Sequence, residues 1–210
     1  MSLTDLSVKD FLAETASSSP STGGGCVSAL AGALSAALSA MVANLTDGEK
    51  YGDVCEEMRQ IAEKAAALKD KLAASVQKDA DSFSEYMAAL KLPKDTEENI
   101  ALRRAAMQRG LKNAALVPLE TAERALEIFP LAAAVVKRGN QNALSDGLVS
   151  AMLAKTAVYG ALFNVRINLG GIKDAAFAEE IFAKTDEIKK QAEESERAIL
   201  RSAELSAAFA

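Results

Sequence analysis

An all-α fold, an antiparallel up-and-down bundle of about six helices, is what this 210-residue sequence predicts. Three observations carry it. Half of the residues are hydrophobic, only 5% are aromatic and there is no Trp. That composition suits helices packed closely through alanine rather than a β-sandwich. Apolar residues recur at three- and four-residue spacing along most of the chain, and no stretch alternates with period two. Only four prolines occur, and turn-forming residues fall mostly between the periodic stretches. One helical domain over residues 1–210 accommodates the pattern, since a chain of this length can bury a single large core.

The elements follow in order. Leu6–Thr15 reads as a short first helix with Ser7 as its N-cap. Gly25–Leu45 reads as a buried helix ended by the turn Thr46-Asp47-Gly48. In it Gly32, Ala36 and Ala40 recur every four residues, a seam along which another helix can approach closely. This stretch is long enough to weigh as a membrane span. Ser28, Ser35, Ser39 and Asn44 interrupt it, and its apolar content is mostly alanine, so the interior of a bundle, and no membrane, is the expected setting. Asp53–Leu90 is a long helix, about 55 Å at 1.5 Å per residue, and Leu92-Pro93 stops it. Thr96-Glu97-Glu98 opens the next, which runs to about Lys112. Pro118 sits within a continuing helical pattern and is expected to kink or restart it, and Pro130 marks a further break. Asn142–Leu169 is a second very apolar helix, closed by Gly170-Gly171, and Lys173–Ala207 is the last. In the last helix Lys189-Lys190 and Glu193-Glu194 form i,i+4 pairs, as on a solvated face.

Charge and composition exclude several functions. A formal net charge of −5 argues against nucleic acid as the main partner, because phosphate binding needs a basic face. With no His, zinc chemistry and Ser-His-Asp or Cys-His catalysis are excluded as working hypotheses. Cys26 and Cys55 give neither a metal spacing nor a disulfide framework, so no metal or resident cofactor is expected. Proton transfer must then use Asp, Glu, Lys, Tyr or Cys. The first residues lack a basic stretch followed by an apolar one, so no signal peptide is read and a cytoplasmic location is expected.

Three groups of residues break the pattern. The run from Pro20 to Gly25 ends in Gly23-Gly24-Gly25 directly before the apolar helix. A glycine loop there either links two helices or points bare N–H groups and the positive end of the helix dipole at an anionic or carbonyl-bearing ligand. In the long helix, Ile61, Ala65, Leu68, Leu72, Val76, Phe83 and Met87 form one stripe, and Asp79 falls inside it, within about 40° of Leu72 and Phe83. A carboxylate on a packing face is either tied into a structural hydrogen bond or ion pair, or is a buried acid with a raised pKa. Asp81 points the opposite way and reads as solvated. In the helix after Gly139, Asp146, Ser150, Asn164 and Asn168 share one face with Ala157, Gly160 and Ala161. Those polar groups either bond to neighbouring helices or line a pocket whose flat ligand satisfies them. Asn140 and Asn142 precede that helix as caps or turn residues.

These stretches resemble the cyclodeaminase/cyclohydrolase family of folate one-carbon metabolism, over nearly the whole chain. The carrying blocks are Ser7-Val8-Lys9-Asp10-Phe11-Leu12, Gly23-Gly24-Gly25 after Pro20, Met41-Val42-Ala43-Asn44-Leu45-Thr46, and Asp79-Ala80 with Phe83. Further on come Leu92-Pro93-Lys94-Asp95-Thr96-Glu97-Glu98, Val117-Pro118-Leu119, Gly139-Asn140, Ser145-Asp146 and Asn164-Val165-Arg166-Ile167-Asn168-Leu169. One position departs: the family usually has Pro directly before the triple glycine, and here Thr22 stands there.

The resemblance implies an all-α homodimer acting on a reduced folate. The family's cyclodeaminase converts 5-formiminotetrahydrofolate to 5,10-methenyltetrahydrofolate and ammonia. Its cyclohydrolases interconvert the methenyl and 10-formyl forms. Both reactions pass through a tetrahedral carbon bridging N5 and N10. The acid it implies is Asp79; the substrate-binding residues it implies are Gly23, Gly24, Gly25, Asn44, Lys50, Asn140, Asp146, Asn164 and Asn168. Lys50, Lys94 or Arg104 would meet the anionic, polyglutamylated tail. Cyclodeaminase is the primary expectation and cyclohydrolase the alternative. A non-catalytic folate-binding helical dimer is the third.

Overall fold

The computed structural model describes residues 2–18 and 22–204. Among them there are helices and no strands, as expected: α1 (Val8–Thr15), α2 (Gly24–Asn44), α3 (Cys55–Leu90), α4 (Glu97–Leu126), α5 (Ile128–Arg138), α6 (Leu144–Leu169) and α7 (Ala175–Glu204). Short 3₁₀ turns at Leu3–Asp5, Glu49–Val54 and Gln141–Ala143 complete the order. Caps set several boundaries. Ser7 accepts the Asp10 N–H at the start of α1, and Thr96 accepts the Asn99 N–H at the start of α4. The turn after α2 uses Gly48 at φ 98°, a conformation that glycine adopts without strain.

Helices α2, α3, α4 and α6 form a ring in which each neighbour is antiparallel to the next. Cys26 and Gly32 of α2 meet Asp79 and Leu72 of α3. Glu120 and Arg124 of α4 meet Lys78 and Ser75 of α3. Gly24, Ser28 and Ser35 of α2 meet Asn164, Gly160 and Ser150 of α6. Helices α5 and α7 pack on the α6 side of the ring. Met58, Leu72, Val42, Ile128, Val135, Val158 and Val165 are wholly enclosed in the core.

By length and composition α2 and α6 could each cross a bilayer. Here they lie side by side through small residues. A Cβ on Gly160 would stand 2.2 Å from Ser28 Oγ, and one on Gly32 would stand 3.2 Å from Leu72 Cδ1 and 3.4 Å from Ala157 Cβ. Three buried serines cross the same seam: Ser35 Oγ donates to the Ser150 carbonyl and Ser150 Oγ donates to the Ser35 carbonyl, both at 2.7 Å, while Ser39 Oγ bonds Ser150 Oγ at 2.8 Å. The cluster satisfies itself, so these serines mark the packing seam and not a ligand site.

Two expectations are corrected. Pro118 does not restart its helix: α4 runs from Glu97 through Pro118 to Leu126, well past Lys112. The break expected near Pro130 comes at Glu127, which separates α4 from α5 and leaves Pro130 in the first turn of α5, where a missing N–H costs nothing. The last helix is described to Glu204, so its expected extension to Ala207 lies outside the described residues, as does Pro20.

Candidate active site

Helix α2 begins without a side-chain cap. Its N-cap is Gly23, which has no side chain to offer the first backbone N–H groups. The group that fills this role comes from α3. Asp79 reaches the first turn of α2, accepts a backbone hydrogen bond from Cys26, and accepts the Cys26 thiol on Oδ2 at 3.5 Å. Gly25 makes that approach possible. A Cβ there would lie 2.2 Å from Asp79 Oδ1 and 2.3 Å from Oδ2, closer than atoms can come. Gly24 meets Asn164 less tightly, with a Cβ 3.2 Å from Nδ2, and Gly23 has nothing within 4 Å. The three glycines therefore differ: Gly25 is clearance for a carboxylate.

Burial pushes the Asp79 carboxyl above its ordinary 3.8, and the two hydrogen bonds from Cys26 pull the other way. The thiol feels the reverse. Burial, the Asp79 charge and the hydrogen bond to it push Cys26 from 9.0 up to about 12, so it stays a protonated donor.

The cavity in front of this pair measures about 130 Å³. Gly23, Gly24, Gly25, Asp79, Ser82, Phe83, Ala114, Asn164 and Asn168 line it. Ser82 lies one turn after Asp79 and donates to its backbone carbonyl at 2.8 Å. On the opposite wall the asparagines are half committed. Asn164 Nδ2 donates to the Gly160 carbonyl at 2.8 Å. Asn168 Nδ2 donates to the Asn164 carbonyl at 2.9 Å and the Ala114 carbonyl at 2.8 Å. Ala114 is four residues before Pro118, which has no N–H to give it. The acceptor that proline frees in α4 is thus taken by an amide from α6, which fixes the Asn168 side chain against the cavity. The amide nitrogens hold the wall together, and the Oδ1 atoms remain as acceptors.

Four expected binding residues lie elsewhere. Asn44 is exposed at the last residue of α2, about 30 Å along the helix from Gly24. Lys50 is exposed in the 3₁₀ turn beyond it. Asn140 locks that far end: its N–H donates to Thr46 Oγ1 at 2.8 Å, its Nδ2 to the Leu45 carbonyl at 3.2 Å, and its Oδ1 accepts the Asn142 N–H at 3.1 Å. Asp146 sits in the first turn of α6, about 27 Å from Asn164 along the same face. Sharing a face does not mean sharing a site when the helix is long. Arg104 stands beside Arg103 and Lys173 in a groove of about 380 Å³, roughly 15 Å along α4 from Ala114. Sequence reasoning passed over Cys26, Ser82 and Ala114; the signal for Cys26 was its place in the first turn of the helix that Asp79 caps.

Comparison with known proteins places the chain. Residues 7–187 match the family model described as formiminotransferase-cyclodeaminase. A methenyltetrahydrofolate cyclohydrolase of Methylorubrum extorquens is 40% identical over 174 residues, covering 82% of this chain and 84% of that one. A formimidoyltransferase-cyclodeaminase of Rattus norvegicus is 36% identical over 97% of this chain, which spans only 38% of the length of the rat protein. The crystal structure of a formiminotetrahydrofolate cyclodeaminase from Thermotoga maritima superposes with a TM-score of 0.85 at 32% identity, covering 95% of this chain and 96% of that one. With its four-helix ring and this cavity at one end, the chain belongs to the formiminotransferase-cyclodeaminase family.

Proposed function

We propose that this chain is a folate one-carbon enzyme, a formiminotetrahydrofolate cyclodeaminase that forms 5,10-methenyltetrahydrofolate and releases ammonia. The observation that carries the reading is a single half-buried carboxylate, Asp79, in the wall of a polar cavity of a chain of this family. N10 of the folate adds to the formimino carbon on N5, giving a tetrahedral carbon that still bears an amino group. The carbon–nitrogen bond to that group then breaks, and the nitrogen needs a proton to leave as ammonia. Asp79 supplies it. Burial raises its proton affinity toward the range where a carboxyl can act as an acid, a contribution of typically 10²–10⁴-fold.

The cavity of about 130 Å³ is smaller than the ~300–1,000 Å³ of sites that enclose a drug-sized ligand, so it seats the reacting end of the folate. Gly23, Gly24 and Gly25 flank the bridging carbon, and Asn164 and Asn168 offer acceptors to the N–H edge of the pterin. The anionic, polyglutamylated tail then runs toward Arg104 and Lys94, and Lys50, at the other end of α2, takes no part. No resident cofactor or metal enters this reading, and a cytoplasmic location belongs to it.

Pairing of two copies is also part of the proposal. On α2 the exposed Val27, Leu34 and Met41 lie about 100° around the helix from the residues that face α6. On α6 the exposed Met152, Phe163 and Ile167 lie about 90° from those that face α2, in the same rotational sense. Because the helices are antiparallel, both stripes emerge on one side. A groove of about 590 Å³ between α1 and α2, walled by Leu6, Val8, Leu12 and Leu34, extends that side. An apolar face of this extent suits a self-complementary twofold contact. Light scattering should give twice the 22.0 kDa chain mass, and a Leu34→Glu, Phe163→Glu double variant should give one chain mass; a monomeric wild type overturns the pairing.

One comparison favours a second reading. The Methylorubrum relative, matched over most of both chains, is named a methenyltetrahydrofolate cyclohydrolase, and Asp79 would handle water in the same cavity. An assay of the purified chain with each substrate separates them. Methenyl-folate appearing from formiminotetrahydrofolate with ammonia supports the first, and methenyl-folate consumed without ammonia supports the second. Binding of reduced folate with turnover of neither leaves the non-catalytic binder.

A further inference from the structure

We propose that Cys26 is a positioning residue for Asp79: its thiol holds the carboxylate against the first turn of α2 and tunes its proton affinity. The inference rests on Asp79 being the acid of the proposed reaction. Cys26 is fully enclosed, and its side chain reaches Asp79 Oδ2 at 3.5 Å while its backbone also bonds the carboxylate. The missing Cβ of Gly25 lets both contacts form. Asp79 lines the cavity and Cys26 does not, so the thiol touches the acid without taking part in the cavity wall.

The surrounding charges are spoken for. On α3, Lys78 pairs with Glu120 of α4, and Asp81 accepts Gln77. Glu85 accepts Asn113 of α4, and Arg124 is held by Glu120 and Ser75. On α6, Arg166 turns to Asp186 and Thr185 of α7. On α1, Asp10 accepts Ser7. Among the described residues Cys26 is the group whose hydrogen bonds act on the Asp79 proton.

Opposite shifts test the idea. A thiol that donates to a carboxylate favours its charged form. Cys26→Ala removes the donor, so the pH-profile limb set by Asp79 should move up by about half a unit. Cys26→Ser keeps a donor of nearly the same shape, and that limb should stay or move down. Carbon-13 NMR of the Asp79 carboxyl across pH should show the same pair of shifts without any substrate, and thermal unfolding of both variants checks that the fold holds. Shifts of the same sign in Ala and Ser, or none in either, overturn the positioning role. The NMR arm keeps the two proposals apart. Opposite carboxyl shifts in a chain that turns over neither folate would uphold the Cys26–Asp79 link and remove the enzymatic reading.

Discussion

The two ends of the α2–α6 pair carry the same kinds of residue and use them differently. At one end Gly23–Gly25, Asp79, Asn164 and Asn168 surround a cavity. At the other, Asn44, Thr46, Asn140 and Asp146 gather around the turn after α2 and the start of α6, where Thr46 and Asn140 close a loop of hydrogen bonds among themselves and nearby carbonyls. There Thr46 and Asn140 spend their polar atoms on backbone groups that would otherwise be orphaned. The cavity end keeps some in reserve: a carboxylate lifted above its usual range and two amide oxygens. A polar residue on an apolar helix is thus a functional candidate when its partners leave part of it unused and that part faces a cavity, as Asp79, Asn164 and Asn168 do.

The sharpest way to break this contrast is Asp79→Asn. It should lower kcat by about 10²–10⁴ with little change in KM, as steady-state assays on the productive folate would show; full activity would take the acid out of the mechanism. The same variant should be more stable at neutral pH. Burial raises the folded-state pKa of Asp79 above 3.8, so between 3.8 and that raised value the folded chain binds more protons than the unfolded one, and stability falls as pH rises through the window. Melting midpoints should therefore favour the Asp79→Asn variant above the window and converge with wild type below 3.8.

Within the glycine run the expected effects are unequal. Gly25→Ala must displace the Asp79 carboxylate from 2.2 Å, so it should cost ~1–3 kcal/mol of stability and most of the activity. Gly23→Ala meets nothing within 4 Å, and its stability should stay within about 0.5 kcal/mol of wild type. Equal effects would mean that the glycines act as one flexible linker. At the far end, Thr46→Val leaves the Asn140 N–H without its acceptor and should cost about 1–3 kcal/mol in denaturant unfolding, with kcat and KM unchanged. A kinetic defect there would return that end to the site.

Much of this was legible from residue spacing. The helical period located α3 and its stripe, and Asp79 stood out because a carboxylate on a packing face needs a reason. Asp146 was misplaced for an equally physical cause: angle around a helix says nothing of distance along it. The asparagines needed tertiary partners to be understood, since Asn168 answers to Ala114, 54 positions away. Pro118 signals a break to any local rule, and only the neighbouring helix repairs it. Thr22, which stands where the family has proline, is buried with its hydroxyl unpartnered among the described residues, and nothing in sequence spacing could have shown that.

The link from Pro118 through the Ala114 carbonyl to Asn168 has a consequence for how α4 and α6 find each other. Their contact is rich in alanine, and smooth surfaces of that kind can slide. A slip of α6 by one residue would move the Asn168 amide off the Ala114 carbonyl and leave a buried acceptor unmet, a cost of ~1–3 kcal/mol, or a factor of about 5–150 against the wrong alignment. The proline that looks like a flaw in one helix is a key, and the asparagine of the other is the lock that accepts a single register.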